Sequence, residues 1–153
     1  RVVEELGKFG EEDREYFRPK WIKVKRTERG RNELGSVIRY NILNILFYDI
    51  VLESFVDGRF LVYRIRDSFA KGGVLIFDIN GNGKKDCILS VYVAFSFDRG
   101  NLLKKIFWFI FKPAFPAFMH DVIWNHSLCQ LKDVIEKGSI DQVSTRPIVN
   151  TAL

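Results

Sequence analysis

The segment from residue 47 to residue 67 constrains the fold more than any other part of the sequence. Two runs rich in β-branched and aromatic residues flank Asp57-Gly58, a dipeptide that favours a two-residue hairpin turn because both of its positions need a positive φ. With that turn, Val56 faces Arg59, and every other pair in the hairpin follows from this one. The sequence therefore predicts two antiparallel strands in a defined register.

The predicted register separates the hairpin into a charged face and an apolar face. Asp49 lies opposite Arg66 and Glu53 lies diagonal to Arg64, so opposite charges meet on one side. The other side carries Tyr48, Ile50, Leu52, Leu61, Tyr63 and Ile65. Antiparallel pairs with one solvent-facing side show this separation. We therefore interpret Asp49 and Glu53 as surface partners of the arginines, not as a pair of acid and base catalysts.

Alternation with a period of two predicts further strands on both sides of this hairpin. The segments 21–26 and 36–43 show this period. Residues 72–77 lead into a polar turn at residues 80–83, and a strand from Cys87 to Phe97 completes a second hairpin. On that last strand, the odd-numbered residues form the predicted core face. Residues 1–20 are predicted to be helical or irregular.

The pattern becomes helical after Gly100. Asn101 is a suitable N-cap, Gly138 a suitable stop, and Pro113 should break the segment between them, as should Pro116. The predicted inward stripe of the second part consists of Ile123, Trp124, Ser127, Leu128, Leu131 and Ile135. The tail at 139–153 has little periodicity and is predicted to be a loosely structured end.

This element order predicts an α+β fold in which the terminal helix covers the apolar face of an antiparallel sheet. The length of 153 residues suits one domain with a substantial core. Disorder is excluded as the main state, because 14 Phe, 5 Tyr and 3 Trp are too many apolar rings for it.

The chain resembles the START-like or SRPBCC superfamily, which includes polyketide cyclase/dehydrase-like and coenzyme Q-binding START-type proteins. The segments that carry the resemblance are 16–21, 34–40 and the terminal helix at 124–136. The resemblance implies a helix-grip domain over residues 1–138, with a curved antiparallel sheet wrapped around the long C-terminal helix and an apolar cavity between them. Members usually begin with a strand, and none is visible ahead of Val2. The uncovered sheet edge would invite pairing with a second copy of the chain.

Members of this superfamily bind lipids, isoprenoids, polyketides or other apolar molecules, and some are enzymes. The resemblance therefore implies binding or transport of an apolar small molecule, with a cyclase or dehydratase that uses a Tyr or His as acid or base as the alternative. The candidate cavity residues are Tyr40, Leu52, Tyr63, Phe77, Val91, Phe95, Trp124 and Leu128. Tyr40 and Tyr63 would supply polar groups in an apolar wall. The sequence has no convergent catalytic set, which favours the non-enzymatic alternative.

An aromatic run within residues 106–118 has two interpretations. It can pack in the core at the start of the helix, or it can form a pocket mouth or a membrane-touching face, since lysines flank it. The residues concerned are Phe107, Trp108, Phe111, Phe115 and Phe118. The second interpretation makes a peripheral membrane or partner-docking module a third hypothesis for the function.

No cofactor or metal site is expected. Residues 78–83 match the first half of a calcium loop, but Leu89 stands where the loop needs a bidentate Glu. His120 and His126 are six residues apart, whereas a helical zinc pair needs a spacing of four. The sequence contains neither a dinucleotide-binding glycine motif nor a phosphate-binding loop.

Charge and cysteine content complete the sequence-based expectations. The net charge is +5, and a run of basic residues lies at 18–31. Such a run usually forms a solvated face of the protein. Nucleic acid is not the expected partner, because no recognised nucleic-acid-binding module accompanies the basic run. Cys87 and Cys129 are expected to be buried free thiols of a reducing compartment. No secretory signal is visible, and the apolar run at 106–119 is too short to span a membrane. We therefore expect a cytoplasmic protein, with contact to a membrane surface left open.

Overall fold

A computed structural model describes residues 1–11, 19–68, 70–81, 87–94, 105–106, 109 and 120–137. Two helices and six strands have defined bounds within these residues, and residues 105–106 and 109 are helical as well. In chain order, the elements with defined bounds are α1 (Val2–Gly7), β1 (Ile22–Glu28), β2 (Val37–Ile42), β3 (Leu46–Val56), β4 (Phe60–Ile65), β5 (Val74–Gly81), β6 (Cys87–Ala94) and α2 (His120–Lys137).

The six strands form one open antiparallel sheet in which each strand pairs with the next one along the chain. The sheet is curved, and α2 lies against its inner face. These features confirm the predicted α+β class and the curved sheet with a C-terminal helix. The predicted period-two segments all lie within or overlap observed strands.

Alternation along the strands places one apolar set on the inner face, where the core forms. The most deeply buried core side chains are each no more than 2% exposed, and they include Ile22, Ile38, Ile50, Leu52, Leu61 and Tyr63. Helix α2 contributes Leu131, which is buried, and Trp124, whose ring lies 5.6 Å from that of Phe77. The helix therefore covers the sheet with part of the stripe that its sequence predicts.

Arg26 joins the short helix α1 to the sheet. Its side chain leaves the inner side of β1, and its Nη2 donates to the carbonyl oxygens of Gly7 at 3.0 Å and Phe9 at 2.7 Å. The Nη1 donates to the Ser36 hydroxyl and to the carbonyl oxygen of Gly30. Carbonyl groups at the end of a helix need donors from outside it. Arg26 supplies them, and α1 is thereby attached to β1 and β2.

The segment that follows α1 covers part of the edge of β1. The amide of Arg26 donates to the carbonyl oxygen of Gly10 at 2.6 Å, in a place where a neighbouring strand would otherwise bond. No strand precedes β1 within the described residues. Pairing of a second copy at a sheet edge stays a prediction.

The turn between β3 and β4 differs from the predicted one. It contains three residues, 57–59, so Val56 pairs with Phe60 and not with Arg59. Only Gly58 has a positive φ, of 74°, whereas the predicted two-residue turn needs a positive φ at both central positions. A register shift at Glu53 then absorbs the extra residue. Beyond that bulge, from Leu52 onwards, the predicted register is correct.

Asp49 was expected on a solvent-facing surface, and this expectation is wrong. Its side chain is buried beneath two arginines: Arg39 donates to both carboxylate oxygens at 2.8 Å, and Arg66 donates to Oδ2 at 3.1 Å. Arg66 also contacts Glu28. The long arginine side chains cover the carboxylate while their own ends stay half exposed. The predicted pair of Asp49 and Arg66 exists, and so does the pair of Glu53 with Arg64 at 2.6 Å.

This network predicts a pH-dependent loss of stability. Hydrogen bonds from Arg39 hold the pKa of Asp49 below its ordinary value. A carboxyl whose pKa is lower in the folded state stabilises the fold above its unfolded pKa, and this stabilisation is lost as the pH falls through the folded pKa. We expect Asp49→Asn to lower the free energy of unfolding by roughly 1 to 2 kcal/mol at neutral pH.

The difference between Asp49→Asn and the wild type should shrink below about pH 4, where the unfolded carboxyl takes up its proton. Urea unfolding at a series of pH values measures it. Glu53→Gln is the control, because that carboxylate forms an exposed pair of little expected consequence. Equal effects of the two substitutions at neutral pH would contradict the role given to Asp49.

The two cysteines occupy different environments. Cys87 is exposed at the start of β6, so its predicted burial is wrong; the first residue of a strand lies beyond the cover of the core. Cys129 is half-buried on α2. The other odd-numbered residues of β6 behave as expected, since Leu89, Val91 and Val93 pack against the core.

Candidate functional site

An aromatic cluster occupies the centre of the inner face. The ring of Phe9, which follows α1, lies 5.9 Å from Tyr40, 6.2 Å from Tyr63 and 5.8 Å from Phe77. Tilted and edge-to-face arrangements at these distances are favourable for aromatic rings. Three of the predicted cavity residues therefore lie together, and Phe9 packs against all of them.

Four of the predicted cavity residues are closed off from solvent. Tyr40, Leu52, Tyr63 and Phe77 are between 1% and 6% exposed, and Phe9 is 4% exposed. In this conformation, their side chains contact each other and Phe9 and leave little surface for a ligand. A ligand at this end of the inner face would have to displace the Phe9 ring.

The other end of the inner face is more open. Val91 pairs with Phe77 across the sheet, and Trp124 of α2 stacks edge-to-face on the same Phe77 ring. Val91, Trp124 and Leu128 are half-buried, unlike the four residues in the closed cluster. Neighbouring Leu89 and Val93 are also half-buried. Val91 and Trp124, the neighbours of Phe77 on β6 and α2, are therefore less enclosed than the aromatic cluster.

Several predicted site residues lie outside the described residues. They are Phe95 of the cavity set and the five aromatic residues of the pocket-mouth set: Phe107, Trp108, Phe111, Phe115 and Phe118. The predicted tail at 139–153 lies outside them as well. Within the aromatic run, the structure describes Ile106 as 50% exposed and Phe109 as 82% exposed.

The tyrosines of the inner face are neutral hydrogen-bonding groups. Burial raises the pKa of Tyr63 to about 12, and the nearby positive charge of Arg26 offsets only part of that shift. Tyr48 stacks on Tyr40 at 4.8 Å, and burial raises its pKa as well. At physiological pH, Tyr63 can therefore orient a polar group, but it is poorly suited to proton transfer.

The residues with metal-binding or nucleophilic chemistry do not converge in the described parts of the chain. His126 lies on α2 with its Nε2 3.1 Å from the side-chain nitrogen of Gln130. No group of three His, Cys, Asp or Glu side chains suited to a metal ion occurs among the described residues. None of the described helices has the length and hydropathy that a membrane span requires.

Sequence reasoning missed three features of the structure. Phe9 lies in a segment without periodicity, so no pattern indicated its central position. Arg26 was treated as part of a basic run, although its spacing from Ile22 and Val24 puts it on the inner side of β1. The turn between β2 and β3 was treated as the end of a strand, although its apolar residues are exposed.

The comparisons with known proteins do not identify a family. A scan against protein-family models finds no match to this chain, and a search of curated proteins finds none either. The resemblance to START-like proteins therefore stays a prediction from the sequence segments.

Proposed function

We propose that the chain binds or carries an apolar small molecule between β6 and α2. The lipid, isoprenoid and polyketide classes named by the resemblance are the candidate ligands. The observation that carries the proposal is the contrast between the two ends of the inner face. Phe9 closes one end, whereas Val91, Trp124 and Leu128 keep apolar surface accessible at the other.

The physical basis of such binding is removal of apolar surface from water, at about 25 cal/mol per Å² before the costs of association. Trp124 offers a broad ring, and Leu89, Val91 and Val93 of β6 pack against the same core. Ligand sites commonly combine a mostly apolar lining with few polar groups. This composition suits a molecule recognised by shape and hydrophobicity.

The cyclase or dehydratase alternative has less support. Its acid or base would be Tyr63 or a histidine. Tyr63 is 1% exposed and has a pKa raised to about 12, so its phenol gives up a proton with difficulty. The described contact of the His126 ring is with the side-chain nitrogen of Gln130, which is not an acid that could orient the imidazole as a base.

The test uses cis-parinaric acid, a fluorescent fatty acid, as the apolar probe. When the probe binds near Trp124, it should accept excitation energy from the indole ring and fluoresce. The probe fluorescence should then rise with probe concentration and reach a plateau. Trp124→Phe should reduce this transfer more than Trp21→Phe does, because Trp21 precedes β1 at the far edge of the sheet. Native mass spectrometry of the purified chain should also show a co-purifying apolar molecule.

A pair of matched substitutions locates the site. Val91→Phe adds a ring on the inner face and should weaken probe binding by about tenfold, because it fills the space that a ligand would use. Ile88→Phe adds a ring on the outer face of the same strand, where Ile88 is 69% exposed, and should leave binding unchanged. Absence of saturable binding, or equal binding by both variants, would remove the proposal.

A second candidate function has support from the aromatic run. Ile106 and Phe109 are large apolar side chains that are 50% and 82% exposed, and the neighbouring Lys105 is exposed too. An exposed ring, an exposed aliphatic side chain and an exposed lysine in one segment favour the interface of an anionic membrane. Loss of vesicle binding on Phe109→Ser would support this peripheral membrane role.

A further inference from the structure

The turn between β2 and β3, together with the start of β3, exposes three large apolar side chains. Leu43 is 57% exposed, Ile45 is 82% exposed and Phe47 is 50% exposed. They lie within five consecutive residues at one end of the sheet. We call this group the β2–β3 tip. Single exposed apolar residues are common on proteins, but a cluster of large ones at a projecting turn marks an interaction site.

The tip is held in a defined shape. Leu43 and Asn44 have φ values of 55° and 57°, in the left-handed region that leucine rarely adopts. The Asn41 side chain donates to that of Asn44 at 2.9 Å, and the Leu43 amide donates to the carbonyl oxygen of Trp21 at 3.0 Å. These contacts hold the turn against β1. A strained conformation that directs a leucine into solvent indicates a role for the exposed side chain.

The surroundings of the tip are basic. Lys23 pairs with Asn41, which in turn pairs with Phe47, so these three side chains form one row on the outer face. Lys20 directly precedes Trp21, which bonds to Leu43, and both lysines are exposed. The stretches 19–27 and 40–48 contain no Asp or Glu. The apolar tip is therefore bordered by positive charge on the β1 side.

We infer that the β2–β3 tip is a docking site for an anionic lipid surface. Leu43, Ile45 and Phe47 enter the boundary between head groups and acyl chains, while Lys20 and Lys23 contact the negatively charged head groups. Charge complementarity selects this occupant over a second copy of the chain, because two basic tips would repel each other.

The inference is independent of the proposed ligand site, since the tip lies at the β2–β3 turn and not between β6 and α2. It also concerns a surface distinct from the aromatic run. Strand β6 nevertheless ends at the same end of the sheet as the tip, because the strands alternate in direction. Ala94, the last residue of β6, therefore lies at the end of the sheet that would face the membrane.

Vesicle co-sedimentation of the full chain tests the inference. The probes are vesicles of phosphatidylcholine alone and vesicles of equal parts phosphatidylcholine and phosphatidylserine. We expect binding to the second kind only, and weaker binding as salt is added, because salt screens exposed charges. Equal binding to both kinds of vesicle, or no binding to either, would overturn the inference.

Substitutions then separate the tip from the other surfaces. Ile45→Ser should weaken binding by about tenfold, through loss of inserted apolar surface. Lys23→Gln should weaken it by about fivefold, the effect of one lysine near an anionic surface. Leu43→Asn should preserve the fold, because asparagine tolerates a positive φ. This variant should therefore melt at the same temperature as the wild type but lose vesicle binding.

Controls for these variants lie elsewhere on the protein. Ile88→Ser removes another exposed isoleucine, on the outer face of β6, and should bind as the wild type does. If Phe109→Ser abolishes binding while Ile45→Ser and Leu43→Asn do not change it, the tip is not the docking site, and the aromatic run alone would account for the contact. Concentration-dependent dimerisation that Ile45→Ser prevents would likewise replace the lipid surface with a second copy.

Discussion

Arg26→Met is expected to lower the free energy of unfolding by about 4 kcal/mol. The substitution keeps an apolar stem of similar length and removes the guanidinium donors to the carbonyl oxygens of Gly7 and Phe9 and to the hydroxyl of Ser36. A hydrogen bond from a charged group contributes about 1.5–3 kcal/mol, and partners left unpaired in the interior add to the loss. Urea unfolding monitored by circular dichroism measures the effect.

Two further variants distinguish this role from a general effect of charge. Lys25→Met removes a charge from the neighbouring exposed position and should change stability by less than about 0.5 kcal/mol. Arg26→Lys should recover only part of the loss, because one ammonium group cannot reach all the acceptors that the planar guanidinium spans. A loss for Arg26→Met no larger than that for Lys25→Met would disprove the proposed attachment of α1.

Phe9→Ala is expected to cost about 3–5 kcal/mol, the usual loss for removing a buried phenylalanine. The ring is 4% exposed and contacts Tyr40, Tyr63 and Phe77, so its removal leaves a cavity lined by three aromatic residues. An apolar cavity of this kind binds benzene. We therefore expect benzene to raise the melting temperature of the variant but not that of the wild type.

Phe47→Ala is the matched control, because that ring is 50% exposed and its loss should have a small effect on stability. Phe9→Leu provides a milder change in case the alanine variant does not fold, with an expected loss of about 1–2 kcal/mol. If Phe9→Ala is as stable as Phe47→Ala and benzene has no effect, the ring does not close the inner face in solution.

The hairpin shows what period-two alternation can predict. It correctly placed Asp49 with Arg66 and put Leu52 and Tyr63 on the inner face, because apolar and charged residues alternate along both strands. The alternation did not predict the bulge at Glu53. The turn has one residue more than predicted, and the bulge adds one residue to β3, so the pairing from Leu52 onwards is the same as in the predicted register.

The parts of the candidate site that depend on distant contacts could not be predicted in this way. Phe9 belongs to an irregular segment, and its burial depends on β2, β4 and β5 coming together beneath it. The burial of Asp49 depends on Arg39 from a third strand, which a two-strand register does not contain. Local pattern identified the elements and most of their inner faces, whereas tertiary contacts decide which inner residues are closed off.

The consecutive order of the strands also bears on how the protein is made. Each strand can add to the previous one as it leaves the ribosome, since every pairing joins chain neighbours and needs only a short loop to close. Helix α2 is translated after the whole sheet, so the inner side of a nascent chain lacks the cover that Trp124 and Leu131 later provide. Premature termination before residue 120 should therefore yield an aggregation-prone fragment that depends on chaperones.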